Sequence, residues 1–97
     1  MVLVRMIFVT VPHDMARRAI DNWVTECGPL MLRQPGCQSE QLLEATDDSG
    51  EFISYSEWDS EESVQRYLQS DDHQEIKRHN RNIPGAEVRV RQYHRVE

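Results

Sequence analysis

The chain is short of residues that break or cross-link structure. It has four glycines, four prolines and two cysteines among 97 residues. No linker, repeat or low-complexity stretch interrupts it, so residues 1–97 are expected to form a single domain, on the small side for a stable core. Cys27 and Cys37 would allow one disulfide. Without an export signal, free cytosolic thiols are the expectation, and neither cysteine has metal-ligand spacing. No apolar run is long enough to span a bilayer, because Arg5 interrupts the apolar start MVLVRMIFVTV. That start has neither a basic leading segment nor a small-residue cleavage site, so it does not read as a signal peptide and a cytoplasmic location is expected. Basic charge is in deficit: 11 Lys and Arg stand against 17 Asp and Glu, a net −6. That balance argues against nucleic acid or an anionic membrane as the main partner. There is no Gly-rich phosphate loop, no nucleophile motif, no pair of histidines four apart and no His/Cys/carboxylate cluster. Neither a phosphate-loop enzyme, a triad hydrolase nor a metal site is supported.

What is present is a sequence of clear periodicities. Residues 2–11, VLVRMIFVTV, are rich in β-branched residues and predict a strand ended by Pro12. From Asp14 the apolar residues Met15, Ala16, Ala19, Ile20, Trp23, Val24, Cys27, Leu30 and Met31 recur at helical spacing. Gly28-Pro29 falls inside that stripe and should kink the helix, or restart it with Pro29 in a first turn. QPGC at 34–37 is a turn, 37–46 a second strand, DDSG at 47–50 a hairpin turn and 51–58 a third strand of period two. The adjacent Leu42 and Leu43 break alternation in the second strand, and a bulge would reconcile them. Ser60, followed by Glu61 and Glu62, suits a helix N-cap. Ser70, followed by Asp71 and Asp72, repeats the arrangement. Residues 60–80 are thus two short helices, or one with a break near Ser70. Residues 87–96 form a last alternating strand.

The order β-α-β-β-α-β is that of the ferredoxin-like split βαβ unit, an α+β fold. Right-handed crossovers place both helices on one face of a four-stranded antiparallel sheet. Both strand faces carry apolar residues, Trp58, Phe8, Met6 and Tyr55 among them, so the uncovered face would be a large apolar patch. Back-to-back packing of two sheets would cover it, which predicts a homodimer with a two-fold interface.

The stretches QPGCQSEQLLEA (34–45) and FISYSEWDSEESVQRYLQSDDH (52–73) resemble the antibiotic biosynthesis monooxygenase family, whose fold is a dimeric α+β barrel. The shared signals are Pro35-Gly36-Cys37 entering the second strand, Glu57-Trp58-x-Ser60-x-x-Ser63, and Ser70-x-x-His73. The resemblance covers nearly the whole chain in element order. It implies molecular oxygen as a partner, no cofactor, and a small aromatic substrate such as an anthrone, a quinol or a similar polyketide. The family also includes haem-degrading oxygenases. Their pattern of asparagine, tryptophan and haem-ligating histidine falls here on Ile7, Tyr67 and Lys77, so haem degradation is not the expectation, although His73 and His79 lie nearby.

Within that frame particular side chains suggest chemistry. His73, near the start of its helix, has a pKa suited to a general base that deprotonates a phenol or anthrone. It could equally bond a helix end or a neighbouring carboxylate. Trp58 is a cavity wall for a flat ligand, a core aromatic, or both. Tyr55 and Tyr67 could donate to a substrate oxygen, with Tyr67 also on an apolar helical stripe. Arg89 shares a strand face with Arg91 and Arg95 and could clamp an anion or enolate, or form surface ion pairs. Arg5 has the same alternatives. His13 is expected at the surface, and His94 is expected buried on the apolar face of the last strand. Three functions stay open. The first is a cofactor-independent monooxygenase, with His73 and Trp58 in the catalytic site and Tyr55, Tyr67 and Arg89 binding substrate. The second is a non-catalytic dimer holding a small ligand. The third is an oxygen-independent isomerase or cyclase.

Overall fold

The structure is a computed structural model and describes residues 2–96. Four strands, β1 (Leu3–Thr10), β2 (Cys37–Glu44), β3 (Glu51–Trp58) and β4 (Glu87–His94), form one antiparallel sheet in the order β2-β3-β1-β4. Helices α1 (Ala16–Asn22), α2 (Gly28–Leu32), α3 (Glu61–Leu68) and α4 (Asp71–Arg81) complete the ferredoxin-like α+β architecture.

The period-two patterning fixes which face each residue occupies. On β3, Phe52, Ser54, Ser56 and Trp58 are buried toward the helices, while Ile53, Tyr55 and Glu57 are half-buried on the other face. Pairing carries this across the sheet, so Arg5 and Ile7 of β1 join the inner face and Val4, Met6 and Phe8 the outer one. The inner core is Ile7, Trp23, Cys27, Met31, Trp58, Val64, Tyr67 and Ile76.

The long first stripe is one helical path with a change of pitch. A 3₁₀ turn (His13–Met15) leads into α1, a π-helical turn (Trp23–Cys27) follows, and α2 begins at Gly28 with Pro29 in its first turn. Trp23, Cys27 and Met31, each four residues after the last, are all buried. An ordinary α-helix would rotate such a series off the core, and the wider π turn keeps it in line.

Residues 60–80 form two helices. Ser60 Oγ accepts from the Ser63 amide at 3.2 Å and Ser70 Oγ from the His73 amide at 3.1 Å, so the second cap starts a new helix instead of continuing the first. Two expectations are corrected. The β2 irregularity lies between Cys37 and Ser39, not at Leu42-Leu43. Those leucines alternate normally, with Leu42 packed on the core and Leu43 exposed. His94 is exposed, because β4 is an edge strand exposed along its whole length.

Candidate functional site

The strand end, caps and helical stripe between Trp58 and His73 fold back into a three-ring stack. Trp58 has no exposed surface, and its ring centroid lies 5.2 Å from that of Tyr67. Tyr67 in turn meets His73 edge-on, at 5.0 Å and 67°. The Trp58 indole N–H donates to Ser56 Oγ at 2.9 Å, and the Ser56 hydroxyl donates to the Arg5 carbonyl at 3.1 Å. The stack is thereby tied to the middle of the sheet.

His73 is half-buried, and its Nδ1 lies 3.1 Å from the Leu68 carbonyl oxygen. A carbonyl can only accept, so Nδ1 carries the proton and Nε2 keeps its lone pair. Desolvation pulls the imidazole pKa below its ordinary value. The bond to Leu68 opposes that shift, while Lys77 and Arg5 reinforce it. The ring is therefore neutral near pH 7 and able to accept a proton at Nε2.

A second polar group lies deeper. Arg5 pairs with Ser56 across β1 and β3, and Ser56 with Glu40 across β3 and β2, so the three residues form one inner-face row. Arg5 is 6% exposed, and its guanidinium carbon lies 5.8 Å from the Tyr67 ring centroid. Burial pushes the Glu40 carboxyl up to about 7, against hydrogen bonds from Ser54 and Trp23 and the attraction of Arg5. Burial also raises Tyr67, which holds its phenolic proton and can act as a donor.

The sheet divides the sequence-derived candidates. Trp58, Tyr67 and His73 come together on the helix side, whereas Tyr55 and Arg89 lie on the outer face with Met6 and Phe8. Arg89 stacks on Phe8, its guanidinium carbon 5.0 Å from the ring centroid, and Arg95 pairs with Glu57 at 3.1 Å. A groove of about 530 Å³ runs past Phe8, Leu43, Ile53 and Arg89. That volume lies within the range of small-molecule sites. On the helix side a void of only about 30 Å³ lies among Val9, Trp23, Leu42, Phe52 and Val88. Among the described residues no three His, Cys, Asp or Glu side chains gather as a metal-binding group. None of the helices they form is long and apolar enough to cross a membrane.

Glu40 is the site residue that the sequence pattern did not single out. It precedes the core residue Leu42 by two on β2, which is the signal for an inward-facing carboxylate. The register shift after Cys37 hides that signal.

The sequence model of the family described as Antibiotic biosynthesis monooxygenase matches residues 2–79. Among solved structures, a candidate antibiotic biosynthesis monooxygenase from Deinococcus radiodurans superposes with a TM-score of 0.85 at 13% identity, covering 98% of this chain and 93% of that one. One from Nitrosomonas europaea gives 0.82 at 13% identity, covering 98% and 99%. A conserved protein of unknown function from Bacteroides thetaiotaomicron gives 0.83 at 16% identity, covering 95% of each chain. At these identities the structures share the fold. No curated protein matches the chain.

Proposed function

The chain belongs to the antibiotic biosynthesis monooxygenase family, and from that membership we propose that it is a cofactor-independent monooxygenase of small phenolic, quinol or polyketide-like aromatic substrates. Residues 1–97 act as one domain in a cytoplasmic homodimer. The observation that carries the reading is the state of His73: Nδ1–H committed to Leu68, which leaves the lone pair on Nε2, and a pKa held below the ordinary value. Nε2 removes a proton from the substrate, whose anion passes one electron to oxygen. The resulting radical pair combines to a peroxide, which loses water and leaves a carbonyl on the carbon that was oxidised. Both oxygen atoms and all four electrons are accounted for without a reductant. Tyr67 donates to the substrate oxygen and Trp58 backs its ring. Tyr55 and Arg89, on the opposite face of the sheet, take no part in that step, and Arg89 lines the outer groove.

Oxygen uptake by metal- and flavin-free protein over an anthrone and hydroquinone panel tests the reading. Uptake that falls at least tenfold in His73→Ala, about 1.4 kcal/mol of transition-state stabilisation, supports it. Background uptake by both proteins sinks it. A second reading, a non-catalytic ligand-binding dimer, is favoured by the outer groove beside Arg89 and Phe8, which lies across the sheet from His73. Under that reading a ligand co-purifies unchanged and Arg89→Ala, not His73→Ala, weakens its binding. For the dimer itself, the half-buried Val4, Met6, Phe8, Ile53 and Tyr55 and the exposed edge of β4 are the supporting surface, and sedimentation equilibrium is the check.

A further inference from the structure

The inner layer is packed as two clusters. One holds Trp23, Trp58 and Tyr67, and the other holds Val11, Phe52 and Ile83. Val9 and Leu42 pack against both, so they mark the seam. The void of about 30 Å³ lies at that seam, bordered by Val9, Val11, Trp23, Leu42, Phe52 and Ile83. Protein interiors are close-packed, and a space larger than a water molecule is the exception. Water needs roughly 10–15 Å³ of such space together with two to four polar partners. Here the room is present and the partners are scarce. Val9, Val11, Leu42, Phe52 and Ile83 offer only hydrocarbon side chains, and the Trp23 indole N–H is committed to Glu40 Oε1 at 3.0 Å. The polar side chains on the lining are Asn22 and Asn80, and both are half-buried, so each keeps contact with solvent. Apolar cavities of this kind stay dry and take small apolar molecules instead. No ring fits, because sites for larger organic ligands run to roughly 300–1,000 Å³. On its β4 side the void is bordered by Val88, which pairs with Val9 and is 51% exposed, so solvent lies one side chain away.

We propose that this void is a dioxygen-binding pocket. Dioxygen is an apolar diatomic that needs no hydrogen-bond partner, and it matches both the size and the lining of the space. The identity of the gas rests on the oxygenase reading above, and the site rests on the packing alone. Trp23 lines the void and belongs to the same cluster as Trp58 and Tyr67, which puts the gas in the same buried layer as the ring stack. The outer groove is a poorer place for it. That groove carries Glu44, Glu51, Glu87 and Arg89 on its lining and lies across the sheet from the stack.

The test is methyl NMR of the substrate-free protein under oxygen pressure against argon. Dioxygen is paramagnetic, so it speeds the relaxation of the methyl groups it visits, and without substrate no turnover enters the readout. In wild type the Val11 and Ile83 methyls, which line the void, should gain at least twofold more relaxation than two references. Val64 is as buried but lies away from the void, and Val24 is exposed. Ala19→Val adds two methyl groups to the lining and should remove the excess while the melting temperature holds or rises. Ala86→Val makes the same test beside β4 if Ala19→Val does not fold. Enhancement that simply follows exposure, equal enhancement at Val11, Ile83 and Val64, or an excess that survives in a folded filling variant would each overturn the proposal. Selective enhancement with no oxygen uptake on any substrate leaves the pocket standing and removes the oxygenase. Uptake without selective enhancement does the reverse.

Discussion

His73 Nδ1 lies 3.1 Å from the carbonyl oxygen of Leu68, five residues back across the break between α3 and α4. That carbonyl belongs to the last turn of α3, where backbone acceptors have no helical partner. One bond thus satisfies a helix end and sets the imidazole tautomer. Nδ1 serves the fold, and in the proposed reaction the base is Nε2.

Oxygen uptake should therefore follow the neutral form of His73. Its pKa is depressed, so activity should be on a plateau at pH 7 and fall only as the pH drops below the ordinary histidine value of about 6.5. His73→Ala should abolish both the plateau and the acid limb, read as uptake rate against pH. A profile of unchanged shape in the variant would assign the base elsewhere. Ser70→Ala removes the cap that aims His73 and should reduce stability by about 1 kcal/mol while lowering uptake as well.

Glu40 makes stability depend on pH in the direction opposite to most carboxylates. Its folded pKa, about 7, lies above the unfolded value near 4.5, so the folded state holds the proton more tightly. The stabilisation is complete below the unfolded pKa and is lost as pH rises through about 7, on the order of 1–3 kcal/mol in all. His73 acts the other way. Its folded pKa is depressed, so protonation below about 6.5 favours the unfolded chain. Between pH 8 and 6.5 the melting temperature should rise on acidification, and Glu40→Gln should flatten that limb. An equally steep limb in the variant would remove Glu40 as its source.

The fold was legible because its signals are local and redundant. Ser60 and Ser70 with their acidic followers mark two caps, the alternation of 51–58 marks a strand with an inner face, and Pro12, DDSG and IPGA mark the ends of elements. The site was legible only in part. The Trp58–Tyr67–His73 stack lies within 16 consecutive residues, and cap spacing brings it together. Arg5 and Glu40 are joined only through sheet register, and the shift between Cys37 and Ser39 reverses which β2 residues face inward. Tyr55 shows the same limit from the other side. It is three residues from Trp58, an odd offset in a strand, so the sheet puts the two on opposite faces.

Gly36 should tolerate no side chain. Its φ is +90°, and a Cβ there would lie 2.2 Å from Ser63 Oγ and 2.5 Å from Asp59 Oδ1. The backbone is in the left-handed region and the neighbouring space is occupied by the α3 cap network, in which Ser63 Oγ donates to Asp59 at 2.6 Å. Gly36→Ala should destabilise the protein by about 2 kcal/mol or more in chemical denaturation. A change within 0.5 kcal/mol would show that the cap moves aside freely.

The two thiols should be inert and unlinked. Both are free, Cys27 fully enclosed and Cys37 half-buried. Desolvation pushes Cys27 up to about 12 and Cys37 up to about 11, so little thiolate exists at pH 8. A thiol reagent such as dithionitrobenzoate should label neither in the native protein and two per chain in denaturant. Fast native labelling of one would show that β2 opens at its bulged end.

Trp58 and His73 should fail in different ways when changed, although they flank the same tyrosine. Trp58 is fully buried, and its indole supports Ser56, which in turn bonds β1 at Arg5. Trp58→Phe keeps a ring beneath Tyr67 but removes the donor and some volume, and should reduce stability by about 1–3 kcal/mol. Trp58→Ala leaves a larger hole and should reduce it by about 3–5 kcal/mol. His73 is half-buried, so His73→Ala should lower stability less while removing uptake. Paired denaturant titrations and uptake rates on the three variants decide the matter. If Trp58→Phe loses uptake as fully as His73→Ala while remaining folded, the indole itself meets the substrate, and Tyr67 must swing aside to expose it. If uptake survives, Trp58 acts only by holding the ring between sheet and base.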